Sequence, residues 1–230
     1  YRKNTDQESD VITMKYGRTV LQLLVMISLF AACRKQWSAT EEDMANYGWS
    51  LYEQGDYVTS YEWFSNSIIE DKNYQDGYNG LGWTFGKLVE LDSAVQAFAI
   101  GLSKPTNERT TTNVSQEILA GLTFAHSALK KDSSVVLYGD SLIWLIKQQI
   151  GEKIWSFTHD STTNYLDIHV TLALSYYSLS DYDESMANVQ AVKTALNPAS
   201  PPYIINTTTV QGREKLAAEI EYLQNYLRGR

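Results

Sequence analysis

Few side chains in these 230 residues could carry out chemistry: three histidines (His126, His159 and His169) and a single cysteine, Cys33. His159-Asp160, with Asp167 and His169 following, brings together imidazole and carboxylate, the donors of metal sites and acid-base pairs. On a helix, though, Asp167 and His169 point to different sides because they are two residues apart, and the spacing matches no recognised metal set. The pattern places His159-Asp160 in a loop before a helix capped by Thr162 or Thr163. An enzyme relying on His159 and Asp160 would need a deep pocket around both. Gly80, Gly82 and Gly86 superficially suggest a phosphate loop, but no strand pattern precedes them. The expectation is a chain that is not an enzyme and uses no cofactor or metal.

Cys33 closes an apolar run. Met14-Lys15-Tyr16-Gly17-Arg18 sets two positive charges ahead of the segment from Thr19 to Ala32, the order of a secretory signal. That run is 14 residues long, short of the roughly 20 that span a bilayer. Leu29-Phe30-Ala31-Ala32-Cys33 resembles the lipobox of bacterial lipoproteins, with Phe30 standing where leucine is usual. The resemblance implies that Cys33 is lipidated and begins the mature chain. The organisation then reads 1–13 as an upstream extension before Met14, 14–32 as signal peptide, 33–40 as lipidated tether, and 41–230 as the folded domain. The alternative is an ordinary signal peptide cut near Ala32, leaving Cys33 as a free thiol. Arg34, where an aspartate would favour inner-membrane retention, resembles the outer-membrane default. The expected location is therefore the outer membrane, facing the periplasm; the outer face of the cytoplasmic membrane is the alternative.

The elements that position these residues follow from composition and repetition. With 4 Pro and 13 Gly against 16 Tyr and 6 Trp, the chain permits long helices and supplies rings to pack between them. A net charge of -8 argues against sequence-independent nucleic-acid binding, which needs clustered Lys and Arg. At an offset of 34, Tyr47-Gly48-Trp49 aligns with Leu81-Gly82-Trp83, Leu51 with Phe85, Ser60 with Ala94, Phe64 with Phe98, and Ser67 with Gly101. Met44, Tyr47, Gly48 and Leu51 fall on one helical face. Gly48, Ser60 and Ser67 allow close helix approach while Tyr47, Leu51 and Phe64 fill the gaps. Gly55 supplies the helix stop.

The period and the segment Leu51-Tyr52-Glu53-Gln54-Gly55-Asp56-Tyr57 resemble the tetratricopeptide repeat family. The second unit departs from it, with Val89 at the turn glycine and Leu91 at the tyrosine. A later unit runs through His169, Leu172-Ala173, Tyr176 and Asp181-Tyr182-Asp183-Glu184-Ser185 to Asn197-Pro198, with His169 packing where earlier repeats place Met44 and Tyr78. Val114 to Lys130 and Ser134 to Ile150 read as a degenerate third pair, with Asn113 as a helix cap. Ser103 to Thr112 and Asn197 to Thr209 read as loops, and the stripe Leu216, Ile220, Leu223 and Leu227 as a terminal cap. The resemblance implies an all-α, right-handed superhelix of stacked helical hairpins with a C-terminal capping helix.

It also implies that Trp49 and Trp83, equivalent on successive first helices, line a groove. Their neighbours are Ala45, Tyr52 and Glu53 in one unit and Asn79, Gly86 and Lys87 in the next. Trp49, Tyr52, Glu53, Asn79, Trp83 and Lys87 are thus the candidate partner-binding residues, suited to a protein or peptide of the cell envelope. The alternative is that the tryptophans pack between adjacent repeats, as aromatic stripes at helical spacing more often do. The expected function is a non-catalytic, lipid-anchored envelope scaffold; the alternative is a lipoprotein that binds envelope glycan or a small ligand.

Overall fold

The computed structural model describes residues 39–106, 114–148, 154–199 and 201–229. Cys33 and the cap expected at Asn113 lie outside them. Among the described residues, helices α1 (Glu41–Glu53), α2 (Tyr57–Glu70), α3 (Gln75–Lys87), α4 (Leu91–Leu102), α5 (Val114–Ala128) and α6 (Asp132–Gln148) precede a short hairpin, β1 (Ser156–Phe157) and β2 (Asp160–Asn164). Helices α7 (Tyr165–Ser178), α8 (Tyr182–Leu196) and α9 (Val210–Arg228) follow. Consecutive helices pair as α1·α2, α3·α4, α5·α6 and α7·α8, and each second helix also packs on the first helix of the next hairpin. The first helices α1, α3, α5 and α7 touch in series, so their side chains form one continuous face. Helix α9 covers α7 and α8 with Leu216, Ile220, Leu223 and Leu227, as the apolar stripe predicts. None of these helices is long and apolar enough to cross a membrane.

Glycines set the spacing between hairpins. A methyl group built on Gly48 would meet the Phe64 ring at 3.0 Å, and one on Gly80 at 2.1 Å. Phe98 repeats the arrangement between Gly82 at 2.4 Å and Gly121 at 2.2 Å. Each phenylalanine of a second helix is therefore held between a glycine of its own hairpin and one of the next. Small hydroxyl residues also join the two helices of a hairpin: Ser60 donates to the Gly48 carbonyl at 2.9 Å, and Ser185 to the Ala173 carbonyl at 2.7 Å. Ser67 reaches the Glu41 carbonyl at 2.8 Å. One expectation fails here. Tyr47 is 49% exposed and rests edge-on against Trp63, while Trp49 and Tyr52 turn inward. The contact with Phe64 fixes the side of α1 that faces its partner, and Tyr47 falls outside it.

Each hairpin turns through one left-handed residue. Gly55, Val89, Lys130 and Ser180 all have φ between +55° and +82°. After each of them the next amide bonds back to the preceding helix, as Asp56 does to Leu51 and Glu90 to Phe85. Asp56 and Asp181 then cap α2 and α8 by accepting from Thr59 and Glu184. Glycine meets the conformational demand without penalty, whereas β-branched Val89 does not. Val89→Gly should therefore stabilise the fold by about 1 kcal/mol, and Gly55→Ala should weaken it by a similar amount. Urea midpoints at unchanged m-value would show this.

Candidate functional site

The first-helix face is assembled from α1, α3 and α5. Asp76, Asn79, Trp83 and Lys87 follow helical spacing along α3, and Glu117 projects from α5. The Asn79 amide joins two carboxylates, donating to Asp76 at 3.1 Å and to Glu117 at 2.7 Å. The Trp49 indole donates to the other oxygen of Asp76 at 2.8 Å. Asn79 and Glu117 are 0% and 2% exposed, whereas Asp76 retains some contact with solvent. Desolvation pushes both carboxyl groups above the usual carboxylate range, against hydrogen bonds that favour ionisation.

An internal segment covers this face. The β1–β2 hairpin lays Phe157 on Trp83, with ring centroids 4.0 Å apart and planes 18° from parallel. It lays His159 on Trp49 at 3.7 Å and 4°. Polar contacts pin the same turn: the Thr158 amide donates to Glu117 at 3.3 Å, His159 Nδ1 meets Glu53 at 2.8 Å, and Lys87 lies 3.8 Å from Asp160. The loop expected at His159-Asp160 is thus a hairpin seated on the groove. The cap expected at Thr162 or Thr163 is instead Asn164, which exchanges hydrogen bonds with the start of α7 through Leu166 and Asp167. Thr162 is engaged with Asp160 at 2.6 Å, which closes the turn.

All six candidate partner-binding residues meet at this face, in different states. Trp49 and Tyr52 are 3% exposed and Asn79 is fully buried; Trp83 is partly buried; Glu53 and Lys87 reach solvent. Both tryptophans are packed, against the hairpin on one side and against Phe64, Phe98 and Phe124 of the repeats on the other. The cover leaves the Tyr52 hydroxyl, Asn79 Oδ1 and Trp83 Nε1 without a partner among the described residues. Each such group costs about 1–3 kcal/mol, and burial pushes the Tyr52 phenol well above its ordinary range. Beside Trp83 a cavity of about 380 Å³ opens between Phe98, Phe124, Gly86 and Gly121.

The remaining histidines have packing roles. His126 stacks on Tyr138 at 5.4 Å, and His169 meets Asn188 at 2.8 Å; desolvation lowers the pKa of both. Sequence reasoning missed Asp76, Glu117 and Phe157. Asp76 shares a helical face with Asn79 and Trp83, and Glu117 lies one turn before Gly121, so both were detectable as polar residues beside packing positions. Phe157 has no repeat equivalent and left no comparable signal.

A carboxyl whose folded-state pKa is raised favours folding most when protonated. Its favourable contribution is complete below the unfolded value of about 4.3 and is lost as pH rises through the folded value. Raising the pH above about 4 therefore weakens the contribution of Glu117 to the fold. Glu117→Gln removes the charge and keeps one oxygen for the Thr158 amide, but it turns its own amide toward the Asn79 donor. Relative to the parent's, its thermal midpoint should therefore rise by a few degrees between about pH 4 and pH 7. A pH series of calorimetric scans on both chains checks this.

No protein-family model matches the chain, and no curated protein is detectably similar to it. Solved structures are similar in fold. The crystal structure of MamA superimposes with a TM-score of 0.51 at 13% identity, covering 80% of this chain and 97% of that one. A tetratricopeptide repeat protein from Parabacteroides merdae ATCC 43184 gives 0.53 at 15% identity, covering 83% and 66%. With four consecutive helical hairpins among the described residues, a packing residue recurring at 34 and a covering final helix, the chain has the tetratricopeptide-repeat type of fold.

Proposed function

We propose that this chain is a non-catalytic scaffold of a bacterial cell envelope, tethered by lipid on Cys33 and binding a protein partner through its first-helix face. The observation that carries the partner-binding half is the β1–β2 segment itself. The face built from Trp49, Tyr52, Asn79, Trp83 and Glu117 already receives a stretch of polypeptide, through ring stacking and a backbone amide bond to a buried carboxylate. Aromatic rings with polar tips lose little side-chain entropy on contact, which suits peptide recognition. The tethering half is supported by the charged start at Met14-Lys15, the apolar run to Ala32, and the small residues preceding the chain's single cysteine. We place the protein at the outer membrane, facing the periplasm.

The cavity beside Trp83 favours a second reading, in which a small ligand or an envelope glycan fragment sits against Phe98 and Phe124. That reading expects a shift in tryptophan fluorescence on adding sugars or peptidoglycan fragments, and no retained protein partner. The scaffold reading expects crosslinked protein and unchanged fluorescence.

Tethering is tested directly by Cys33→Ala. More than one acyl chain makes membrane attachment stable. The variant should therefore shift most of the protein from the detergent-rich to the aqueous phase, or accumulate it uncleaved, with helical circular dichroism retained. Partitioning identical to the parent chain would count against lipidation.

A further inference from the structure

The hairpin fits the first-helix face imperfectly, and the mismatch has a chemical direction. Its rings match the tryptophans well, Phe157 on Trp83 and His159 on Trp49. Its polar groups match poorly. Tyr52 and Asn79, at 3% and 0% exposure, each keep a polar atom without a partner among the described residues beneath it. Three carboxylates, Glu53, Asp76 and Glu117, border the place where His159 sits; His159 bonds Glu53 at 2.8 Å and lies within electrostatic reach of the other two. Lys87, the nearby cation, is turned toward Asp160 of the hairpin. The face therefore asks for a flat cationic group with several donors where the chain supplies an imidazole.

We propose that this face is a recognition groove for an extended segment bearing an aromatic residue followed two positions later by arginine or lysine, and that residues 155–160 occupy it as an internal competitor. The proposal rests on the protein-binding reading and adds the chemistry of the partner. An aromatic side chain takes the position of Phe157 on Trp83. A guanidinium stacks on Trp49 as the imidazole does, and its fork of donors serves Glu117, Asp76 and the Asn79 oxygen. Lysine satisfies the charge without the planar stack, so arginine binds better. A glutamate at the same place offers no donor to the oxygens of Glu53, Asp76 and Glu117 and is rejected.

The test uses the full chain and three synthetic peptides: a copy of residues 154–160, and two versions with arginine or glutamate in place of the histidine. The double variant Phe157→Ser, His159→Ser withdraws both rings from the groove. It should bind the arginine peptide about tenfold more tightly than the histidine copy and bind the glutamate peptide negligibly. The unaltered chain should bind the arginine peptide at least about tenfold more weakly than the double variant, because its hairpin competes. Equal binding of the arginine and glutamate peptides overturns the assignment, as does no binding by a variant of unchanged helical circular dichroism. Equal affinity of the two chains overturns the competitor role. If the double variant fails to fold, His159→Arg and His159→Glu in the otherwise intact chain decide the matter: arginine should raise the thermal midpoint and glutamate lower it. A midpoint for His159→Arg no higher than the parent's overturns the proposal. Neither arm involves a membrane or a cellular partner, so a failure of tethering or of partner capture leaves this result readable on its own.

Discussion

The architecture depends on two phenylalanines wedged between glycines. Phe64 fills the space that side chains on Gly48 and Gly80 would take, and Phe98 the space above Gly82 and Gly121. Protein interiors are packed densely enough that an added methyl at 2.1–2.4 Å from a ring has no place to go. Each wedge therefore does two jobs. It seals a hairpin by filling the gap between its helices, and it draws the first helix of the next hairpin to the same ring. Because the wedge touches first helices on both sides, α1, α3 and α5 come into register and their remaining faces align.

That alignment creates an environment that none of the helices has alone. Trp49 comes from one hairpin, Asp76, Asn79 and Trp83 from the next, and Glu117 from the third; only the stacking brings an indole, an amide and two carboxylates within hydrogen-bond distance of one another. Once covered by the hairpin the carboxylates lose water and their neutral forms are favoured. A purely structural core would more readily fill such a place with apolar side chains, since buried charge and unpaired polar atoms weaken a fold. Their presence on a face whose packing is otherwise good agrees with a surface used for recognition.

The hairpin alters how such a face works. In an open stack the first-helix surface meets solvent and partner directly, whereas here it meets the turn through Phe157, Thr158 and His159. Two ring stacks and one backbone amide bond hold the centre, while the contacts of Glu53 and Lys87 lie toward solvent, where ion pairs contribute little. The centre of the face is consequently buried under the β1–β2 turn.

Much of the fold was legible because it is periodic. The recurrence of Gly48 and Phe64 at Gly82 and Phe98 reports a contact made twice in the same way, and the stripe of α9 reports a single apolar face; local pattern determined helix, pairing and cap. Positive φ at Val89 shows repetition overriding residue preference, since the turn keeps its shape after the glycine is gone. The location of six groove residues was legible for the same reason. Their surroundings were not. Tyr47 and Trp49 are two positions apart on one helix, and which of them turns inward depends on the direction of approach of α2 and α3, which no single helix specifies. The meeting of Asn79 with Glu117, and of His159 with Trp49, joins residues far apart along the chain whose pairing has no periodic signature. By itself the sequence determined the helices, their repeat and the side of α1 and α3 that carries aromatic rings, because these depend on neighbours within a few turns. Tertiary structure alone decided that this side is covered and its carboxylates desolvated, because burial is a property of what arrives from elsewhere in the chain.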